Sequence, residues 1–386
     1  MPIAVWPSEV SPRELALALE AGEAVQVLDV RAPFRLAAGR IDLVPGERFH
    51  NIPGSQLMQR RDLRGTGLDP SVPVAVVCSR GNDSRVVSEH LRRLGWKAAS
   101  VRGGMAAWGD LVLPRELAVP ASLDRLVQLD RVAKGALGYL LASAGEAVIV
   151  DPPRDAGEYL RVADEVRARI VAICDTHAHA DYVSGAPDLA QALGVPYRLH
   201  PRDAVYPYDG TPGRLDFEPL EDGGAICFGR CTLRARHTPG HTEGSVTLLV
   251  EDAAAFTGDF LFVASIGRPD LAGKATTWTT ELWWSVEAAK RDWPDDLVVH
   301  PAHYGSEAER RADRTVGETF GQLRERNEAL SFSDRATFAS WVEGRTTSFP
   351  EVYKRIKAIN VALVSVDGEE ARELDSGRNE CALEGR

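Results

Sequence analysis

Up to about residue 118, short apolar runs alternate with stretches whose apolar positions recur every three or four residues. AVQVLDVR (24–31), VPVAVVCS (72–79) and AASVRGG (98–104) are rich enough in β-branched and small apolar residues to be buried strands. SPRELALALEAG (11–22) and DSRVVSEHLRRLGW (83–96) each carry one apolar face, and Ser11 stands where a helix cap belongs. Strand alternating with helix predicts a small parallel α/β sheet with helices on both faces. LVLPRELAVPAS (111–122), with two prolines and no periodicity, reads as a linker.

Beyond it the pattern changes. LDRLVQLD (123–130) and LGYLLASAGEAVIVD (137–151) read as strands, GEYLRVADEVRAR (157–169) as a helix and IVAICDT (170–176) as the next strand. AICFGRCTLRARHT (225–238), SVTLLVED (245–252) and AAAFTGD (253–259) continue the strand pattern. SEAERRADRTVGETFGQLRERNEAL (306–330) is dense in opposed charges and predicts a solvent-facing helix. Residues 331–386 read as a helix-containing extension without chemistry of its own. The expected division is 1–118, 119–330 and 331–386.

Composition narrows the classes. A chain of 386 residues exceeds one ordinary domain, and 44% hydrophobic residues can build sizeable cores. A net charge of −11 argues against a nucleic-acid or anionic-membrane surface, which needs clustered Lys and Arg. No stretch approaches the ~18 apolar residues of a membrane span. MPIAVWPSEVSPREL lacks the basic and apolar regions of a signal peptide. The five cysteines, Cys78, Cys174, Cys227, Cys231 and Cys381, are odd in number and sparse, as in a reduced cytoplasmic protein. Self-association is left open.

Four pieces of the second segment bring His or Asp to strand ends: THAHAD (176–181), HTPGHTEGS (237–245), FTGDF (256–260) and HPAHYG (300–305). Their candidate ligands are His177, His179, Asp181, His241, Asp259 and His303. Imidazole and carboxylate together suit zinc, iron or manganese. Gly240 and Gly258 allow close backbone approach beside His241 and Asp259.

This ordered set resembles the metallo-β-lactamase fold, an αββα sandwich, over about residues 122–330. AVIVDPP, FTGDFLFVASIGRPDL and PAHYG are most similar to persulfide dioxygenases within it. That resemblance implies a mononuclear non-heme Fe(II), with zinc the alternative, held by His177, His241 and Asp259. His179, Asp181, Tyr182 and His303 would then support the ligands. Tyr182 takes the place of a histidine that two-metal members use, and its phenol, with a pKa near ~10, must ionise to bind a second ion well. Arg268 matches a position near the substrate, with an ion pair to Asp270 as its bland alternative. The implied reaction joins a low-molecular-weight persulfide, such as glutathione persulfide, to O2, giving sulfite and thiol.

The loop VCSRGNDSR (77–85) follows a strand and opens a helix, so that backbone N–H groups around Cys78, Arg80 and Gly81 form an anion cradle that stabilises a thiolate. With LDVR, NIPG and VRGGMAAW in order, residues 8–112 resemble a rhodanese domain. The resemblance implies sulfane-sulfur transfer through Cys78, a structural role for Asp29 and Arg31, and sulfite or thiosulfate as further small partners. Asp83 in the loop would repel a thiosulfate dianion, and Arg80 partly offsets it. GRIDLVPGERFHNIPG (39–54) is longer than its rhodanese counterpart. Cys174, Cys227 and Cys231 read as strand and turn residues, and Cys381 receives no role. Two competing readings are a zinc thioesterase of glyoxalase II type and a sulfur-relay protein with a vestigial metal site.

Overall fold

The computed structural model describes residues 6–251, 253–346 and 348–383. Residues 1–5 of the segment read for a leader lie outside the described residues, as do Asp252, which closes SVTLLVED, and residues 347 and 384–386 of the extension. The chain divides into two compact units. One comprises residues 1–113, 131–134 and 376–378, and the other residues 114–130, 135–375 and 379–386.

In the first unit, strands β1 (Glu9–Val10), β2 (Gln26–Asp29), β3 (Phe49–Asn51), β4 (Val74–Val77) and β5 (Ala98–Val101) form one sheet in the order β1-β5-β4-β2-β3. Every pairing is parallel. Helices α1 (Pro12–Glu20), α2 (Gly54–Leu57), α3 (Asn82–Arg93) and α4 (Gly104–Gly109) connect the strands. Val27, Ala75, Val77, Ala99 and Val101 bury one face beneath Leu15, Leu19 and Trp108. Leu28, Val74 and Val76 bury the other beneath Leu57, Val87 and Leu91. Ser11 caps α1 in a reciprocal box with Glu14, as its sequence predicts.

The second unit stacks two sheets. One has the order β12-β11-β10-β9-β8-β7-β6 and the other β13-β14-β15-β16-β17-β18. The first comprises β6 (Val112–Glu116), β7 (Arg125–Arg131), β8 (Ala136–Ser143), β9 (Glu146–Val150), β10 (Arg169–Cys174), β11 (Tyr197–Leu199) and β12 (Glu218–Pro219). The second comprises β13 (Ala225–Phe228), β14 (Cys231–His237), β15 (Val246–Val250), β16 (Ala254–Gly258), β17 (Val298–Pro301) and β18 (Glu318–Thr319). Leu137, Tyr139, Leu141, Val148 and Val150 meet Phe228, Leu233, Val246, Leu248 and Phe256 in a shared apolar core. Helices α5 (Gly157–Glu165) and α6 (Ala186–Leu193) lie on the first sheet. Leu282, Val286 and Ala289 of α7 (Ala275–Asp292) cover the far face of the second through Ala255 and Val299. This is the expected αββα sandwich. Among the described residues, no helix is long and apolar enough to cross a membrane.

Three expectations need correction. Residues 112–116, inside the supposed linker, form the edge strand β6; Pro114 is tolerated because an edge strand leaves one side of its backbone unpaired. AICFGRCTLRARHT is a hairpin, β13 and β14, turning at Gly229 and Arg230. SEAERRADRTVGETFGQLRERNEAL does not form one helix. It breaks into a helical turn (Glu307–Glu309), β18, α8 (Phe320–Arg326) and a second turn (Glu328–Leu330). The cause is electrostatic as well as steric. The Arg310 side chain is not in solvent but 1% exposed, with Nη1 2.8 Å from Asp130 Oδ2, and Arg314 adopts a φ of +70° that no helix accepts.

The extension adds α9 (Arg335–Glu343), α10 (Val352–Asn360) and α11 (Gly368–Leu374). Replacing Arg310 by Ala should leave the Asp130 carboxylate with Arg115, 3.4 Å away, and the Tyr304 hydroxyl, 3.3 Å away. The expected loss is about 3 kcal/mol, read as an earlier urea midpoint for the second unit.

Candidate metal centre

Strand ends deliver the site. His177 follows β10, His241 lies on the turn between β14 and β15, Asp259 follows β16 and His303 follows β17. All four are buried. Asp259 Oδ2 faces His177 Nε2 at 3.6 Å and His241 Nε2 at 3.5 Å. None of these three atoms has a hydrogen-bond partner among the described residues.

Hydrogen bonds settle which ring nitrogens carry the lone pairs. The Thr176 hydroxyl donates to Asp151 Oδ2 at 2.9 Å, so its oxygen accepts from His177 Nδ1 at 3.0 Å. His241 Nδ1 donates to the Arg268 carbonyl at 3.0 Å. Both Nε2 lone pairs therefore turn toward Asp259, which is how metal-binding imidazoles are oriented. Burial holds both imidazoles below the ordinary histidine range, His241 well below it. Burial alone would raise Asp259, but His303 and His177 beside it hold the carboxyl well below the usual range. One carboxylate and two neutral imidazoles, aimed at one another in a dry space, fit a divalent cation of the iron or zinc type.

Two glycines make the approach possible. A Cβ on Gly267 would lie 1.9 Å from the Asp259 carbonyl oxygen and 2.9 Å from His241 Nδ1. Gly258, at φ +55°, would place one 2.5 Å from Thr176 Oγ1.

The other sequence candidates take distinct places. His179 turns away from Asp259, with Nε2 3.1 Å from Asp151 Oδ1 and 2.8 Å from the Tyr182 hydroxyl. Burial pushes the Tyr182 phenol well above its usual range, so it remains protonated. His303 bridges two acids: Nδ1 lies 2.6 Å from Asp259 Oδ1 and Nε2 3.0 Å from Asp181 Oδ2. Burial opposes its charge, yet Asp181 and Asp259 push the imidazolium up to about 10. Arg268 is 3% exposed and paired with Asp270 through two 2.8 Å hydrogen bonds. It also donates to the Glu380 carbonyl, and Phe349 lies beneath the guanidinium. That is the ion-pair alternative. In the first unit, the Gly81 N–H donates to Cys78 Sγ at 3.1 Å, and Ser84 Oγ lies 3.4 Å from the sulfur. Arg80 and Asp83 are exposed on the same loop, and Arg31 pairs with Asp29 at 2.6 Å.

Several contributors escaped the sequence reading. Asp151 sits at φ +51° after β9, and its carboxylate accepts the Thr176 N–H and hydroxyl. That left-handed backbone is costly for a residue other than glycine. Asp203 joins the two histidine loops: it accepts the Ala178 N–H at 2.7 Å, the Thr242 hydroxyl at 2.8 Å and the Gly244 N–H at 2.8 Å. The extension, expected to be inert, supplies Lys357, whose Nζ donates to the Ala178 carbonyl at 2.6 Å. It also supplies Asn360, which donates to the carbonyls of His179 and Tyr182. Ala178 and Thr242 line a shallow cleft whose other walls include Arg202, Asp203, Glu243, Lys274 and Lys357.

Residues 134–310 match the model of the metallo-beta-lactamase superfamily, and residues 11–111 match the rhodanese-like domain. The mitochondrial persulfide dioxygenase ETHE1 of Homo sapiens is 32% identical over 227 residues, covering 56% of this chain and 77% of that protein. The chain belongs to the metallo-beta-lactamase superfamily. A rhodanese-like domain precedes its metallo-beta-lactamase domain. An uncharacterized protein of Mycobacterium tuberculosis is 34% identical over 202 residues, covering 45% of this chain and 89% of its own. A crystal structure of a metallo-beta-lactamase from Staphylococcus aureus aligns with a TM-score of 0.55 at 30% identity, over 62% of this chain and 73% of that one. ETHE1 from Myxococcus xanthus, at 22% identity and a TM-score of 0.52 over 61% of this chain and 97% of that one, shares the fold.

Because both imidazoles are held below the usual 6.5, they remain neutral as pH falls toward that value, and Asp259 remains ionised. Metal affinity at these residues should therefore fall by less between about pH 8 and pH 6 than the roughly tenfold an unshifted histidine pair would lose. Competition against a chelator across that interval checks this.

Proposed function

We propose that this chain is a persulfide dioxygenase fused to a sulfane-sulfur carrier. The observation that carries the reading is the buried set of His177 Nε2, His241 Nε2 and Asp259 Oδ2, three donor atoms facing one another without hydrogen bonds among the described residues. Two imidazoles and one carboxylate leave coordination positions open and are the donor set of non-heme iron oxygenases. The relatives named persulfide dioxygenase support the same assignment. His177, His241 and Asp259 would hold a mononuclear Fe(II), which would supply the one-electron redox chemistry that passes electrons from the persulfide sulfur to O2 and that zinc cannot give.

The chain's own residues do the rest. Thr176 and the Arg268 carbonyl hold the ligand rings in one tautomer. The bonds from Tyr182 and Asp151 to His179 keep that imidazole off the Asp259 carboxylate. The cleft beside Ala178 and Thr242 is the place at which a small persulfide would approach. Arg202 in its wall gives an anionic thiol carrier a local counter-charge in a chain of net charge −11, while Lys274 is paired there with Glu243 at 2.6 Å. This replaces the substrate role first given to Arg268. The reaction converts R–S–SH, O2 and water into R–SH and sulfite. In the first unit, the Cys78 thiolate attacks the outer sulfur of a donor persulfide; a new S–S bond forms, and the donor leaves as its thiol. The Gly81 N–H, 3.1 Å from the sulfur, stabilises the anion.

Protein purified without oxygen should carry iron and consume O2 with glutathione persulfide. His241→Ala should lose the iron and at least a hundredfold of the O2 uptake. Cys78→Ser should abolish thiocyanate formation from persulfide and cyanide. Wild-type protein with iron but no persulfide-dependent O2 uptake would refute the reading.

A further inference from the structure

Two buried hydroxyls beside Cys78 are used by none of the roles above. Ser84 lies in the first turn of α3 and Ser100 in β5, and both are buried. A serine inside AASV, a fully buried parallel strand, is costly unless its hydroxyl is bonded. Among the described residues, Ser100 Oγ bonds to Ser84 Oγ alone, at 2.9 Å. Ser84 Oγ in turn lies 3.4 Å from Cys78 Sγ and 3.2 Å from the Gly81 carbonyl oxygen. The loop between them is held still. The Met105 and Ala106 N–H groups take the carbonyls of Cys78 and Ser79 at 2.8 and 3.0 Å, while the Gly81 N–H faces the sulfur.

The partners fix where the hydrogens go. Ser84 donates to the Gly81 carbonyl, so Ser100 donates to Ser84, and the Cys78 S–H fills the remaining lone pair of Ser84. Ionising Cys78 reverses one bond of this chain. The Ser84 O–H turns from the carbonyl to the sulfur anion, and Ser100 still donates to Ser84. The Gly81 carbonyl is not orphaned, because it also accepts the Arg85 N–H at 3.2 Å. One small rotation therefore serves both charge states of the sulfur and leaves no donor unpaired. A hydrogen bond to the anion is the stronger of the two.

We propose that Ser84, backed by Ser100, is a catalytic residue of sulfur transfer, donating a hydrogen bond to the Cys78 thiolate both as nucleophile and as leaving group. The inference rests on the carrier reading of Cys78 and is independent of the metal centre. In loading, the thiolate attacks the outer sulfur of R–S–SH; the new S–S bond forms, the old one breaks, and R–S⁻ leaves with the persulfide proton. The charge then sits on the outer sulfur, and Sγ is neutral. In discharge, a nucleophile takes the outer sulfur, the S–S bond breaks, and its electron pair returns to Sγ. Ser84 is thus bonded most strongly before loading and after discharge. Stabilising a thiolate speeds its departure and tempers its attack, so the two half-reactions respond unequally.

The test separates those halves on the full chain. Cys78 is loaded with glutathione persulfide, freed of donor and discharged with cyanide. Ser84→Ala should slow discharge about tenfold, the loss of one hydrogen bond to a charged group, and Ser100→Ala should slow it less. Loading, measured at a pH that ionises Cys78 fully, should not slow. The pH profile of Cys78 alkylation by iodoacetamide, read by mass spectrometry on its peptide, should move to higher pH in Ser84→Ala. Equal slowing of both halves with an unmoved alkylation profile is the mark of a packing role and would overturn the proposal, as would discharge at the wild-type rate. The S–H stretching band of the wild type, taken as a Raman difference against Cys78→Ser, needs no Ser84 variant: the position of a bonded thiol supports the proposal and that of a free thiol overturns it. A wild type that takes up no sulfur, with the alkylation profile moving as expected, would instead refute the carrier reading, and with it the transfer role, while leaving the Ser84 bond in place.

Discussion

Asp259 is the point on which the second unit's chemistry turns. Its two oxygens are used differently: one meets His303 at 2.6 Å, and the other faces two imidazole nitrogens at 3.5 and 3.6 Å. A fully buried carboxylate is costly unless a cation or several donors compensate it. Here compensation is complete on one oxygen and open on the other. The open side is the place a metal would take, and the neighbouring elements keep it open rather than letting it collapse.

How they do so is a matter of hydrogen bonds made one layer further out. Asp151, strained at φ +51°, orders Thr176, and Thr176 orders His177. Asp203 ties the His177 loop to the His241 loop through three donors. Lys357 and Asn360 pin the backbone of residues 178–182 from the extension. Strain at Asp151 and the absent side chains at Gly258 and Gly267 are the local costs of bringing four separate strand ends to one point. The surrounding β sandwich, with its continuous core between the sheets, is rigid enough to sustain them.

The unequal legibility of this design in the sequence has physical causes. The donors themselves were legible, since THAHAD, PGHT, FTGD and PAH place scarce residue types at strand ends where periodicity stops. The parallel sheet around Cys78 was legible too, because buried parallel strands read as unbroken apolar runs. The supporting groups were not. Asp203 and Lys357 look like any surface charge until the fold buries them. Arg310 misled in the same way: a charged stretch at helical spacing is usually solvated, but Asp130, 2.8 Å away, draws this one into the interior and ends the helix. Arg268 was marked by motif, yet its pair with Asp270 is visible only once the chain turns.

What distinguishes an oxygenase from a hydrolase on this scaffold is the metal's redox chemistry, so the most direct measurement exchanges the metal and keeps the protein. Metal-free chain reloaded with Fe(II) should consume O2 and form sulfite from glutathione persulfide in equimolar amounts, and the same chain reloaded with zinc alone should do neither. Equal turnover with zinc, or thioester hydrolysis that needs no O2, would contradict the account.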